Sequence, residues 1–225
     1  MKSPLANLVL GYCPEGNGHT IAPFDRVFGK QQDISKSIQG VDAVVFWGGT
    51  DIHPSLYGQE AHPKSQAYGS TPSKRDLFEW NAMKYCKTNN IPMIGVCRGA
   101  QLMCAFAGGT LIQHVHGHVG GRGNHTVNTK GYEKFFDVTS CHHQMMYPFN
   151  VHHDMLAWSA AKMSDRYESA DGYIDMAGKV EPEIVFFPDI NGLAIQGHPE
   201  WAVTSAFADY CNEMILSLFV PVLEI

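Results

Sequence analysis

The residue best suited to act as a nucleophile is Cys97, within the run GVCRG at residues 95–99. This run follows an apolar segment that predicts a strand and precedes one that predicts a helix. It matches the G-x-nucleophile-x-G pattern of a strained strand-to-helix turn, with cysteine as the nucleophile. The turn would place the sulfur at a helix N-terminus, which favours a thiolate, and free the N–H of Arg98 to stabilise an oxyanion. A buried structural cysteine between two chance glycines is the alternative.

His198 and Glu200 are the candidate base and its orienting carboxylate, and they follow the apolar run LAIQG at residues 193–197. A cysteine nucleophile needs an imidazole to take up its proton and later protonate a leaving amine, and a third group to fix the imidazole tautomer. On an extended chain, residues two apart lie on the same side, and Pro199 restricts the backbone between them. Taken alone, the motif also fits an ordinary strand-end histidine and a solvated glutamate.

Together the two motifs resemble the class I glutamine amidotransferase superfamily, whose members use a Cys–His–Glu triad on an α/β sheet. Further segments are similar to the gamma-glutamyl-gamma-aminobutyrate hydrolases and related gamma-glutamyl hydrolases. They are WGGTDIHPSLYG at 47–58, RDLFE at 75–79, GGTLIQH at 108–114, SCHHQ at 140–144, DGYI at 171–174 and HPEW at 198–201. The resemblance therefore runs through most of the chain.

The resemblance implies a role for each matching residue. Cys97 would attack the gamma-carbonyl of a glutamyl amide, His198 would act as base and then acid, and Glu200 would orient His198. The oxyanion-hole N–H groups would come from Gly49 and Arg98. The substrate-binding residues would be Gly48, Gln101, Ser140, Cys141 and His142.

Two features depart from that pattern. Gly197 stands where the superfamily usually has a bulky aromatic residue before the catalytic histidine, which would open one wall of the pocket. The segment between the first strand and Gly48 is also short, so the first strand–helix unit is either truncated or replaced by something irregular over residues 21–28. Both features bear on the identity of the substrate and leave the triad unchanged.

Several polar residues near these motifs have two interpretations, contact with substrate or a local structural role. For Asp51 and Tyr57 the structural role is an Asx-turn and packing. For the segment 75–79 it is helix capping and a surface ion pair. For His125 it is a satisfied structural histidine.

The alternating histidines His114, His116 and His118 raise the question of a metal site. On a strand their imidazoles would share one face, and zinc takes three or four such ligands. A polar loop beside the active-site mouth is the favoured interpretation, so we expect no metal and no organic cofactor. The chain has no Walker-type phosphate loop, so ATP is not implied.

The predicted elements indicate an α/β fold. Strands at residues 8–10, 41–47 and 92–96 alternate with helices at 73–88 and 99–107, which predicts a mainly parallel sheet with active residues at the carboxyl ends of its strands. A smaller antiparallel part follows, with strands at 126–128, 134–138, 155–160, 173–177, 183–187 and 193–196, and a helix at 204–219. The resemblance implies the flavodoxin-like class I glutamine amidotransferase fold, as a single domain over residues 1–225.

Composition narrows the function classes. The chain has 225 residues, with 16 Lys and Arg against 22 Asp and Glu, and this balance argues against a nucleic-acid partner. No run of eighteen apolar residues predicts a membrane span. The six cysteines are scattered and no secretion signal is recognisable, which predicts reduced thiols and a cytoplasmic protein. The final helix or residues 219–225 could form a homodimer interface, and nothing in the sequence decides this.

The favoured function is hydrolysis of a gamma-glutamyl amide, a small-molecule substrate, by a free-standing enzyme. The first alternative is a glutaminase subunit that acts on glutamine and delivers ammonia to a separate synthetase chain. The second is an inactive binding or regulatory module on the same fold. The intact set of Cys97, His198 and Glu200 argues against the second alternative.

Overall fold

The structure is a computed structural model that describes residues 5–15, 21–119 and 124–219. Its helices are α1 (Lys74–Thr88), α2 (Arg98–Phe106) and α3 (Ala206–Leu218). Its strands are β1 (Leu5–Tyr12), β2 (Phe28–Asp33), β3 (Ala43–Phe46), β4 (Met93–Val96), β5 (Thr110–Ile112), β6 (His114–Val115), β7 (His125–Thr129), β8 (Tyr132–Val138), β9 (Met145–Tyr147), β10 (Asp154–Ser159), β11 (Tyr167–Ser169), β12 (Gly172–Tyr173), β13 (Pro182–Phe187) and β14 (Gly192–Ile195). None of these helices is long and apolar enough to cross a membrane.

Nine of the described strands form one mixed sheet in the order β2-β1-β3-β4-β14-β13-β10-β7-β8. The first five strands are parallel to one another, and each strand from β13 onward is antiparallel to its neighbour. The predicted α/β class is confirmed. The antiparallel strands extend the same sheet, while the small sheets β12-β11-β6 and β5-β9 lie outside it.

Helices cover both faces of the parallel part. Alternate residues of β3 show this, because Val44 and Phe46 pack in one apolar cluster with α1 and α2. Ala43 and Val45 pack in a second cluster with α3. Strands buried on both faces are continuous apolar runs, which is why β3, β4 and β14 were predictable.

Two sequence expectations need correction. After β1 the chain forms a short 3-10 turn at Phe24–Arg26 and then β2, which pairs in parallel with β1 at the sheet edge. Residues 21–28 are thus partly irregular, as expected, but a strand follows them. The strand predicted at 173–177 is wrong for most of its length, because only the pair Gly172–Tyr173 is a strand.

Candidate active site

Cys97 occupies a strained turn between β4 and α2. Its backbone angles are φ 51° and ψ −109°, a region that side-chain-bearing residues rarely adopt. A Cβ on Gly99 would lie 2.0 Å from the carbonyl oxygen of Phe46, and one on Gly95 would lie 2.6 Å from that of Gly99. Both glycines are therefore needed for the close approach of the turn to β3 and α2.

His198 reaches Cys97 because β14 lies beside β4. The strands are in parallel register, with Ile195 opposite Val96, and the N–H of Cys97 donates to the carbonyl of Ile195 at 2.8 Å. The carboxyl ends of the two strands therefore meet at one edge, as expected for active residues of a parallel sheet.

Glu200 contacts His198 through a tight turn. Nδ1 of His198 lies 2.8 Å from Oε1 of Glu200, and both side chains are buried. The pair is not on an extended chain, as the sequence suggested, because Pro199–Trp201 forms a 3-10 helix that folds Glu200 back onto the ring. The indole of Trp201 stacks on the imidazole with ring centroids 3.8 Å apart, which fixes the ring plane.

The protonation of His198 follows from these neighbours. Burial lowers the pKa of His198, but hydrogen bonds and charge interactions with Cys97 and Glu200 outweigh burial and raise the pKa to about 10. At neutral pH the ring is therefore an imidazolium. An imidazolium beside a cysteine favours the thiolate, the reactive form of the residue.

The structure brings both predicted oxyanion donors to this edge. Gly49 follows β3, has a φ of 151° and lines the same cavity as Cys97. Arg98 is the first residue of α2, so its N–H has no acceptor within the helix. The geometry of two backbone N–H groups flanking a cysteine suits an oxyanion hole.

A buried ion network holds these two donors in place. The guanidinium of Arg98 is 2% exposed and pairs with Asp76 and Glu79 of α1. Glu79 also accepts from Nε of Arg75 at 2.9 Å, and Arg75 donates to the carbonyl of Trp47 at 2.8 Å. The expected capping is confirmed, since Ser73 and Asp76 form a capping box. The expected surface ion pair is wrong, because Glu79 is fully buried.

A cavity of about 430 Å³ opens in front of the sulfur. Of the residues expected to bind substrate, Gln101, Cys141 and His142 line it. Nε2 of Gln101 donates to the carbonyl of Gln144 at 2.9 Å. The other two expected residues lie behind the wall, since Gly48 is buried and the hydroxyl of Ser140 donates to the carbonyl of His118.

Several cavity residues were not among the site residues expected from the sequence. Lys64 and Gln66 come from the irregular loop after β3, and His114 comes from β6. Asp51, an undecided candidate, also lines the cavity, where it lies 3.1 Å from the imidazole of His143. Isolated polar residues in loops carry no periodic signal, so only the position of the loops pointed to them.

Gly197 does not open the cavity. A Cβ at this position would lie 2.9 Å from the carbonyl oxygen of Thr139 and about 3 Å from the ring of Phe207. Phe207 and the Thr139 backbone therefore fill the space beside the glycine, and the expectation of a missing wall is wrong.

Comparison with known proteins gives one family match. The sequence model of the Peptidase C26 family matches residues 26–200. A glutamine amidotransferase-like protein of Lactococcus lactis subsp. cremoris, the YvdE homolog, is 42% identical over 98 residues, which are 43% of this chain and 48% of that protein. A gamma-glutamyl-CDP-amidate hydrolase of Campylobacter jejuni is 33% identical over 66 residues, 29% of this chain and 28% of that protein. The chain matches less than half the length of the first of these curated relatives.

Solved structures share the fold. A GMP synthase protein of Thermoplasma acidophilum superposes with a TM-score of 0.62 at 16% identity, over 96% of each chain. This likeness confirms the class I glutamine amidotransferase fold that the motifs implied.

Proposed function

The chain belongs to the Peptidase C26 family, and from this premise we propose that it is a cysteine-dependent amidohydrolase that cleaves gamma-glutamyl amides. One observation carries the proposal: Cys97 lies in a strained turn at a cavity, with His198 hydrogen-bonded to it and to Glu200. This is the nucleophile–base–orienter arrangement of thiol hydrolases. The three residues are proposed as catalytic.

In the first half of the reaction the amide bond is exchanged for a thioester. The Cys97 thiolate adds to the gamma-carbonyl carbon, and the N–H groups of Gly49 and Arg98 donate to the carbonyl oxygen, on which negative charge forms. The tetrahedral species collapses as the C–N bond breaks. The imidazolium of His198 gives its proton to the departing nitrogen, so that a neutral amine leaves.

In the second half water releases the acyl group. His198, now neutral, takes a proton from a water molecule that attacks the thioester carbon. The C–S bond breaks, glutamate leaves, and the thiolate–imidazolium pair is restored. Glu200 remains ionised throughout and holds the ring with Nε2 directed at the reacting atoms.

Two features support a gamma-glutamyl substrate. The cavity wall mixes amide, imidazole and ammonium groups, from Gln101, His142 and Lys64, which suit the charged amino-acid end of a glutamyl group. One relative is named for hydrolysis of a gamma-glutamyl bond. The motif resemblance also places Gln101 against the glutamyl group.

The test is amine release by the purified chain alone. The substrates are gamma-glutamyl-gamma-aminobutyrate, other gamma-glutamyl amines and glutamine. We expect turnover of a gamma-glutamyl amine well above glutamine, and loss of turnover in Cys97→Ser with an unchanged circular dichroism spectrum. Full activity of Cys97→Ser would exclude the assigned nucleophile.

A glutamine-analogue electrophile provides an internal control. The cavity wall holds two thiols, Cys97 and the exposed Cys141. Mass spectrometry should find the label on Cys97, since only this thiol faces an imidazolium. Labelling of Cys97 without turnover of any substrate would instead support a glutaminase subunit that lacks its synthetase chain, or an inactive binding module.

A further inference from the structure

A second set of chemically active side chains lies inside the protein, behind the cavity wall. His118, His125 and Glu183 are all buried, and each places one nitrogen or oxygen within 4.8 Å of the other two. They come from three parts of the chain: the segment after β6, the first residue of β7, and β13. None of them has a role in the proposed hydrolysis.

The distances within the set suit a single ion. Nε2 of His125 lies 2.8 Å from Oε1 of Glu183, and Nδ1 of His118 lies 3.8 Å from the same oxygen. Zinc bonds to nitrogen and oxygen of about 2.0–2.2 Å place tetrahedral ligands roughly 3.3–3.5 Å apart. The observed separations bracket that value, so small side-chain adjustments would bring the three atoms around one ion.

The polar atoms of the set are poorly satisfied by the described residues. Neither ring nitrogen of His118 and not Oε2 of Glu183 makes a hydrogen bond with them. Buried polar groups are nearly always hydrogen-bonded, and a fully buried carboxylate needs a positive partner. A divalent cation would supply what these atoms lack.

We propose that His118, His125 and Glu183 bind a divalent transition-metal ion, with zinc as the best-suited ion. Two imidazoles and one carboxylate are a donor set that zinc takes readily. Oγ of Ser159 lies 3.0 Å from Nε2 of His125 and 3.4 Å from Oε1 of Glu183, so a further oxygen borders the site.

The surroundings have the outer groups that metal-bound histidines usually have. Nε2 of His118, the nitrogen turned away from Glu183, lies 3.4 Å from Oε2 of Glu181. Carboxylates commonly hold a metal-bound histidine in this way and fix its tautomer. Glu181 is itself fixed by the N–H groups of Met163 and Ser164 and by the hydroxyl of Tyr167.

This site differs from the histidine run considered in the sequence and revises the expectation of no metal. The rings of His114 and His116 lie 4.9 Å apart, and the His114 ring lies at the active cavity. His118 instead turns inward, where its ring packs 5.0 Å from that of His125. Its carbonyl accepts from the N–H of His142 and the hydroxyl of Ser140, so an ion would brace this part of the cavity wall.

The test uses the 225-residue chain purified without a histidine tag, as Cys97→Ala to remove the reactive active-site thiol. After chelation and dialysis against zinc sulfate, we expect about one zinc per chain by mass spectrometry. Cobalt(II) in place of zinc should give visible d–d bands of low-symmetry nitrogen and oxygen coordination. Absence of both signals would overturn the proposal without recourse to any further variant.

Variants locate the ion. Glu183→Gln and His125→Asn should each weaken zinc binding by about tenfold or more. His116→Asn is the matched control, because this histidine is half exposed and outside the set. Stoichiometric zinc that persists in Glu183→Gln and His125→Asn but is lost in His116→Asn would also overturn the proposal. Circular dichroism confirms that each variant compared is folded.

Discussion

The imidazole of His198 lies between two groups that retain its proton, Cys97 and the carboxylate of Glu200. Burial alone would lower the pKa of the ring, but these partners raise it to about 10. As the pH rises through that value the imidazolium loses its proton, and with it the acid needed by the leaving amine. Activity should therefore fall on the alkaline side with the pKa of His198.

Glu200→Gln removes the carboxylate charge at nearly constant size. We expect kcat to fall by about 10²-fold or more, since the ring loses its orienting charge. The alkaline limb of the pH–rate profile should move to lower pH, because one of the two groups that raise the pKa of His198 is gone. The measurement is kcat from neutral to alkaline pH.

Asp189→Asn is the matched control for that experiment. Asp189 lies 3.0 Å from Nδ1 of His152 in a histidine–carboxylate pair that is exposed and outside the cavity. Its removal should leave both kcat and the alkaline limb unchanged. An alkaline limb that stays in place in Glu200→Gln would show that Glu200 does not hold the His198 proton.

Sequence predicted the residues of the triad and not the rest of the cavity, for a physical reason. Cys97, His198 and Glu200 stand in short motifs whose backbone geometry is local. Lys64 and Gln66 reach the cavity because Gln113 anchors their loop, accepting from the N–H of His62 and donating to the carbonyl of Glu60, both at 2.8 Å. Contacts between residues some fifty positions apart leave no local pattern.

Helix α1 connects the two loops that would form the oxyanion hole. Glu79 is its central residue, since it pairs with Arg98 of the nucleophile turn and with Arg75, which holds the carbonyl of Trp47. Any Cβ on Gly49 would meet the Arg75 guanidinium at 2.3 Å, so this side chain packs directly on the Gly49 backbone. The network therefore positions both loops without touching the substrate.

Glu79→Gln should destabilise the protein strongly. It leaves the buried Arg98 with only Asp76 as a charged partner, and breaking a buried pair by removing one partner costs about 3–5 kcal/mol. We expect the free energy of unfolding in urea to fall by that amount. The activity of the remaining folded protein should also fall, because Trp47–Gly49 and Arg98 lose their common anchor.

The control for Glu79→Gln is Asp154→Asn. Asp154 pairs with Lys130 at 2.9 Å, but both side chains are about half exposed. Exposed pairs contribute about 0–1 kcal/mol, so this variant should unfold near the wild-type urea midpoint. Equal losses in the two variants would mean that burial of the network does not matter.

The elements that sequence missed are those without a buried side-chain pattern. Strand β2 lies at the sheet edge and exposes most of its side chains, so its run FGKQQD shows neither alternation nor an apolar core. The opposite error occurred at 173–177, where an alternating run suggested a strand. There the chain leaves the small sheet after Tyr173, because the partner strand β11 ends at Ser169.

The large sheet joins the parallel and antiparallel parts of the molecule without a break. Strand β14 carries His198 at its end and pairs in parallel with β4 on one side and antiparallel with β13 on the other. The apolar cluster on the α3 face also includes both parts, with Trp47 from one and Phe136 and Ala157 from the other. A shared sheet and a shared core give neither part an independent interior.

This continuity predicts that residues 1–225 unfold as one domain. Opening the antiparallel strands alone would expose the β13 edge of β14 and one side of the common core, so no stable half should remain. Pulsed hydrogen exchange at increasing urea, read by mass spectrometry, measures each part in the same sample. Peptides from β4 and from β10 should lose protection at the same urea midpoint, which should also be the midpoint seen by circular dichroism. Two separate midpoints would mean that the antiparallel strands form a unit of their own, and the single-domain assignment would then be wrong.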